Sequence, residues 1–200
     1  IATHVHARLP FECRAPLAFD AQGGLVAGTI QSNAALVSYD LVVLRTSGEE
    51  VFREASSGPH EVIHIEFTPE SHNVMVFAKD GAGVEAPLWV GLWKLQARRN
   101  VLRRPHKDMC GAAVFGADPG GRFVAWLDGP ELQIFDFGKE RLQPPMPQLE
   151  ECQVSAFGFH PDEPSIVTVS NSGTICVRPL GPGNPRVIHK SRLMRGSGVD

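Results

Sequence analysis

The chain has 200 residues, of which 42% are hydrophobic and 20% charged, so it is long enough to bury one sizeable core. Its formal net charge is −3, which excludes a globally basic nucleic-acid-binding domain. The apolar runs fall well short of the roughly 20 residues that a membrane helix needs, and no secretory signal is visible. We therefore expect no membrane partner.

The four cysteines lie far apart and form no Cys-x-x-Cys pair. Two long-range disulfides and buried free thiols are both compatible with an even number, but in a chain of this length the spacing favours free thiols. Free thiols indicate a reducing compartment, so we expect a cytoplasmic or nuclear location. The residues are Cys13, Cys110, Cys152 and Cys176.

An internal repeat organises the chain. Four times, an apolar stretch leads through a turn into a second apolar strand and then into an alternating strand, without helical spacing. The turns begin at Phe19, Phe67, Ala117 and Phe159. The strands after them are predicted over 25–29, 74–78, 122–127 and 165–170, and the closing strands over 35–41, 89–95, 131–137 and 174–180. The anchors Ala21, Pro69, Pro119 and Pro161 are 48, 50 and 42 residues apart, which is the period of a β-propeller blade.

Three closing strands carry an aromatic residue followed by a polar one, in the pairs Tyr39-Asp40, Trp93-Lys94 and Phe135-Asp136. A large flat side chain at this position is predicted to pack between neighbouring blades, where it buries about 150–250 Å². In the last unit Val177-Arg178 takes the same place without an aromatic residue.

Two units follow a Pro-His pair, with histidines His60 and His106, where WD repeats commonly carry Gly-His. Asp80 and Asp128 occupy the turn between the middle strands of the same units, so each histidine is predicted to bond to its aspartate within the blade. The alternative is that both histidines are unrelated loop residues. The predicted structural blade residues are His60, Asp80, Trp93, His106, Asp128 and Phe135.

The fold class is therefore all-β, a WD40-type β-propeller spanning residues 1–200, with blades at approximately 11–41, 60–95, 106–137 and 150–180. About 200 residues also suffice for a closed ring of four blades. Because WD-type rings usually have about seven blades and the chain opens on Ile1, we expect the C-terminal half of a seven-bladed ring. Residues 3–9 and 185–194 are predicted as outer strands of blades that are only partly present.

The first unit, from Ala15 through 25–27 to Leu41, resembles a blade of one WD-repeat family. That family is the small propeller subunit shared by COMPASS-type histone methyltransferase complexes and a protein-phosphatase-1 complex of transcription termination. The segments Phe67-Thr68-Pro69 and His160-Pro161 are similar to its late blades, whereas the insertion at 80–88 and the proline-rich stretch at 144–147 depart from it. The resemblance implies a nuclear adaptor on chromatin with no chemistry of its own.

Motifs that carry chemistry are absent from the sequence: it has no phosphate-binding loop, nucleophile elbow or His-Glu-x-x-His segment. His60 and His64 lie near two glutamates, but a metal site needs three or four convergent ligands, and polar contacts within the blade are favoured. The predicted inner positions are apolar, which argues against a propeller enzyme. We thus predict no catalytic residue, no metal site and no cofactor. The inner positions are Leu17, Ile65, Val114 and Ala156.

The most pronounced charge feature is the basic stretch at 98–107. It is either a solvated connection between blades or a positive patch for an acidic partner or for RNA. Its candidate contact residues are Arg98, Arg99, Arg103, Arg104 and Lys107. The function favoured by the sequence is a non-catalytic scaffold or adaptor that binds other protein subunits. The alternatives are a subunit of an RNA-processing or ribosome-assembly complex, and a propeller enzyme.

Overall fold

A computed structural model describes residues 16–33, 38–55, 60–70, 72–81, 86–106, 115–129, 131–144, 154–181 and 183–190. These residues form sixteen β-strands and contain no helix. Consequently none of the described part is a helix long and apolar enough to cross a membrane. The chain divides into two compact units, Ile1–Gly111 and Ala112–Asp200, and each holds two four-stranded sheets.

Every sheet is built from four consecutive strands, each pairing antiparallel with the next. The first sheet contains β1 (Ala18–Phe19), β2 (Leu25–Asn33), β3 (Ser38–Arg45) and β4 (Glu50–Glu54). The second contains β5 (His60–Phe67), β6 (Asn73–Asp80), β7 (Leu88–Lys94) and β8 (Arg99–His106). The third contains β9 (Phe115–Ala117), β10 (Phe123–Asp128), β11 (Glu131–Asp136) and β12 (Arg141–Leu142). The fourth contains β13 (Val154–Phe159), β14 (Ser165–Ser170), β15 (Ile175–Pro179) and β16 (Arg186–His189).

The turn between the first and second strands is the same in all four sheets. In each, a backbone N–H donates to the carbonyl five residues later, which closes the turn predicted from the repeat. The pairs are Asp20 to Leu25 (3.2 Å), Thr68 to Asn73 (3.1 Å), Asp118 to Phe123 (3.0 Å) and His160 to Ser165 (2.9 Å). The side chain of Asp20 also accepts from the Leu25 N–H at 2.8 Å, and Asp118 accepts from Phe123 in the same way. The polar residue that follows the first strand of each sheet therefore caps the turn.

Strand register identifies the residue that takes the predicted aromatic position in each sheet. Trp93 pairs with Val74 and Phe135 pairs with Val124. The matching residue of the first sheet is Leu44, which pairs with Val26, so the assignment of Tyr39 to this position was wrong. The reason is that β3 runs on to Arg45 and places Tyr39 near its start. In the fourth sheet the position belongs to Arg178, which pairs with Ile166, and not to Val177.

Each sheet has two faces, because successive side chains of a strand point to opposite sides. We call the face that carries Leu44, Trp93, Phe135 or Arg178 the slot face, and the other one the opposite face. In the compact unit Ile1–Gly111, the opposite face of the first sheet packs against the slot face of the second, for example Val43 with Trp93. In the second unit, the opposite face of the third sheet packs against the slot face of the fourth, for example Ile134 with Ile166.

This face-to-face stacking of four-stranded antiparallel meanders is the architecture of propeller blades. The prediction of an all-β fold built from β-propeller blades is confirmed for the described residues, whereas the WD40 type and the number of blades in a complete ring stay predictions. The prediction for 185–194 was wrong, because β16 is the outer strand of the fourth sheet itself. Residues 3–9 lie outside the described residues.

Candidate interaction site

A cleft opens between the two sheets of the first unit, where the opposite face of the first sheet meets the slot face of the second. Its volume is about 340 Å³, within the range of ligand pockets in proteins. Three aromatic side chains and three polar ones contribute to its walls. The aromatic residues are Tyr39, Trp89 and Trp93, and the polar residues are Glu54, Asn100 and Arg103.

The two tryptophans form the buried part of the cleft, with exposed fractions of only 7% for Trp89 and 3% for Trp93. Their ring centroids lie 6.1 Å apart with an interplanar angle of 61°. Both lie on one side of β7 because they are four residues apart, with Gly91 between them on the same side. A Cβ atom on Gly91 would overlap the six-membered rings of both indoles. Glycine therefore allows the two indole rings to pack directly against the backbone of β7.

The indole N–H of Trp93 is buried and has no hydrogen-bond partner. Such an orphaned donor is costly to bury, and native structures usually satisfy it with protein, water or a ligand. Asn100 pairs with Trp93 across the strands, so its amide reaches the same side of the sheet. No hydrogen bond of the Asn100 side chain is seen to any described residue.

The mouth of the cleft carries charges of both signs. The Arg103 guanidinium lies 4.4 Å from the centroid of the Trp89 ring and 3.1 Å from an Asp80 carboxylate oxygen. Glu54 is half-buried, and its carboxylate forms no ion pair with a described residue. Exposed Ala55 lies beside it on the same rim. The opening thus has one carboxylate that is left for a ligand.

The predicted blade residues fall into different environments. His60 and Asp80 are backbone partners at the ends of β5 and β6, so the structure brings this pair together. Trp93 and Phe135 both occupy slot faces and are buried, and Phe135 packs edge-on against Phe137 at 5.1 Å.

His106 ends β8, the outer strand of the second sheet, where it packs edge-on against Phe77 at 4.8 Å. Asp128 ends β10 of the third sheet and is fully buried. The two residues belong to different sheets and to different compact units, so the bond predicted between them stays a prediction. The second Pro-His pair ends the outer strand of the second sheet.

The basic stretch forms the outer strand of the second sheet, with Arg98 in the preceding turn. Arg103 pairs across the strands with Gly91 and Arg104 with Val90, so these two side chains point to opposite faces. Arg103 is engaged with Asp80 and Trp89, and Lys107 lies outside the described residues.

Within the described residues, no three histidine, cysteine, aspartate or glutamate side chains converge as metal ligands. His64 bonds instead to Glu66 at 3.3 Å. Of the four cysteines, Cys176 lies in the described part, where it is buried and free.

Comparison with known proteins gives no family: no family model matches this chain, and no curated protein matches it. Hydrazine synthase from Kuenenia stuttgartiensis is similar in structure, with a TM-score of 0.51 and 12% identity over 82% of this chain and 57% of that one. The β-propeller domain of Cps50 (Swd1) from Myceliophteria thermophila has a TM-score of 0.49 and 14% identity over 84% of this chain and 54% of that one. This chain spans a little over half the length of both proteins. At such identities the first likeness supports the fold alone, and the second adds no argument.

Sequence reasoning did not identify the cleft. A signal was present in the segment Trp89-Val90-Gly91-Leu92-Trp93, since two tryptophans flanking a glycine at strand spacing must lie on one face over a bare backbone. The polar wall could not be found that way, because it comes from β4 and β8, whose pairing the repeat did not include.

Proposed function

We propose that this protein is a non-catalytic WD-type scaffold or adaptor that binds other protein subunits, with the inter-sheet cleft as one of its contact sites. The observation that carries the proposal is a cleft whose wall contains two buried indoles, one of them with an unsatisfied N–H (Trp93), and whose rim is polar. Aromatic pockets with a polar rim are typical of the anchor positions in protein interfaces. Stacked sheets supply the rigid frame that such a site needs.

The complex that we propose is nuclear, either a chromatin complex or one of transcription termination. Its support is the resemblance of the segment 15–41 and of Phe67-Thr68-Pro69 to the propeller subunit shared by COMPASS-type methyltransferase and phosphatase complexes. In this role the chain would position partner subunits and carry out no reaction itself.

A pull-down of the tagged full chain from native nuclear extract, with the captured proteins identified by mass spectrometry, tests the role of the cleft and the assignment to a nuclear complex. Ala55→Arg places a bulky side chain at the cleft mouth. Ala97→Arg is the matched control, because Ala97 is equally exposed in the turn before β8 and does not line the cleft. Exposed substitutions of this kind change stability by no more than about 0.5 kcal/mol.

We expect the wild-type chain and Ala97→Arg to capture methyltransferase or phosphatase subunits, and Ala55→Arg to lose at least one of them. Identical capture by both variants would remove the cleft from the proposal. Capture of rRNA-processing factors alone would replace the chromatin assignment with ribosome assembly.

A further inference from the structure

We propose that the inter-sheet cleft binds a proline-containing, extended segment of a partner protein, in the polyproline II conformation. The proposal rests on the scaffold function above and specifies the chemistry of one partner.

The hydrogen-bonding groups of the cleft require acceptors. The buried Trp93 N–H is a donor only, and the Asn100 amide beside it is available to a ligand. A polyproline II segment has no internal hydrogen bonds, and its prolines lack N–H groups, so its carbonyl oxygens remain free to accept. Such a segment offers acceptors to the Trp93 N–H, which a shift of the buried indole would expose to the cleft, and its prolines bring no buried donors of their own. An ordinary extended peptide would bring backbone N–H groups that need a strand edge.

The ring surfaces also suit proline. Trp89 and Trp93 meet at 61° and make an angular apolar floor, while Tyr39 contributes a third aromatic wall. Aromatic-lined grooves bind proline-rich segments because the ligand is already stiff and loses little conformational entropy on binding. The cavity of about 340 Å³ has room for a few proline rings but not for a folded element of a partner protein.

Charge at the mouth indicates what flanks the prolines. The positive charge of Arg103 is compensated by Asp80 at 3.1 Å, whereas Glu54 has no ion-pair partner among the described residues. The ligand that fits this rim carries a basic residue next to its proline run. The ion pair between Glu54 and this basic residue would be partly exposed, so it contributes to selectivity more than to affinity.

Tryptophan fluorescence of the full chain provides the test, since two of its three tryptophans lie in the cleft. In a Trp126→Phe background, which removes the third, decaproline flanked by arginine is titrated against the folded chain. We expect saturable quenching or a spectral shift. Trp93→Phe keeps a ring and removes the N–H, and its affinity, followed by anisotropy of labelled peptide, should fall about tenfold, as for one lost hydrogen bond.

Matched variants separate the contributions. Asn100→Ala should also weaken binding, and Ala55→Arg should abolish it, while Ala97→Arg leaves it unchanged. Glu54→Gln should weaken binding of the arginine-flanked peptide by about threefold and leave unflanked decaproline unaffected, whereas Glu49→Gln, on an exposed residue outside the cleft, changes neither.

The proposal is overturned if decaproline does not bind the folded wild-type chain, or if Trp93→Phe and Ala55→Arg bind it as tightly as wild type. Preferential binding of an alanine-glycine peptide or of oligouridine would overturn it as well. If Ala55→Arg loses a protein partner in the pull-down while no proline peptide binds, the scaffold function stands and the ligand class falls. If neither experiment responds, the ligand class falls and the cleft is removed from the proposed scaffold function.

Discussion

Gly91 lies where two indoles approach the backbone of β7, and its substitution tests how tightly they are held. A Cβ at this position would overlap Trp89 and Trp93, so Gly91→Ala must displace at least one ring from the packed slot face. We expect unfolding free energy to fall by about 2–3 kcal/mol, the usual cost of overpacking a core, as measured by urea denaturation.

Gly158→Ala is the matched control, because Gly158 also lies inside a strand and nothing stands within 4 Å of its Cβ position. This change should be neutral or slightly stabilising, since alanine narrows the unfolded ensemble. Equal effects of the two substitutions would contradict the packing described for the tryptophan pair.

Asp136 follows Phe135 and anchors the turn between β11 and β12. Burial raises the pKa of its carboxyl, but bonds from Arg122 at 3.0 and 3.1 Å and from the N–H groups of Lys139 and Gly138 outweigh burial and leave the pKa below its ordinary value. The unfolded state then binds the proton more tightly than the folded state does. The stabilisation is complete above the ordinary aspartate pKa of about 4 and is lost as pH falls from there through the lower pKa of the folded state.

Asp136→Asn should therefore lower the unfolding free energy at neutral pH by about 1–3 kcal/mol, since it weakens hydrogen bonds to a charged acceptor. It should also flatten the pH dependence below about pH 4. Urea denaturation from pH 7 down to the acid limit measures both effects. An Asn variant with the wild-type acid slope would show that Asp136 does not titrate as described.

At the scale of elements, the middle strands were predictable and the outer ones were not. The strands β6, β10 and β14 appear in the sequence as apolar runs that follow turn residues, because most of their side chains are buried. The outer strand β4 is short and mostly polar, so hydrophobic periodicity does not reveal it. The outer strand β16 was predicted within 185–194 but was assigned to another blade. The slot residue was missed in the first and fourth sheets for a related reason: Leu44 and Arg178 are not aromatic, and only strand pairing shows their equivalence to Trp93.

Arg178 also shows what the slot position tolerates. Its side chain is 5% exposed, and its Nε donates to the Thr168 hydroxyl at 3.2 Å. A polar residue can thus replace the aromatic one where the neighbouring strand supplies an acceptor. The local sequence around Arg178 does not show that Thr168 supplies this acceptor, and the sequence analysis therefore assigned the position to Val177.

The strand β8 carries the arginines for which an acidic or RNA partner was predicted. Arg103 should be left intact in a test, because it contacts Trp89 and Asp80 in the cleft. Reversal of Arg98, Arg99 and Arg104 to glutamate should weaken RNA capture if phosphates are bound, with a smaller dependence on salt. Filter binding at several salt concentrations measures this, and unchanged capture at low salt would remove RNA as a partner of this strand.

At the scale of the whole molecule, the opposite face of the fourth sheet distinguishes it from the other three. Its residues Val167, Ile175 and Val177 are only half-buried. The matching residues of the first three sheets are buried, with exposed fractions between 0 and 8%. These residues are Ala27, Leu41, Val43, Met75, Val90, Leu92, Ala125, Leu132 and Ile134. The fourth sheet thus presents the same apolar surface that the first and third bury against a following sheet.

We propose that a further four-stranded sheet, with its own slot face, covers this surface, as expected for a ring with more than four blades. Val177→Arg should then cost about 1 kcal/mol or less in the 200-residue chain, because the guanidinium reaches water, while Val43→Arg costs about 3–5 kcal/mol through an unpaired buried charge. In a longer protein that contains the covering sheet, the two costs should become equal. Urea denaturation of both variants, in the 200-residue chain and in the longer protein, measures these changes in the free energy of unfolding. A cost at Val177 that stays small in the longer protein would mean that no sheet packs there.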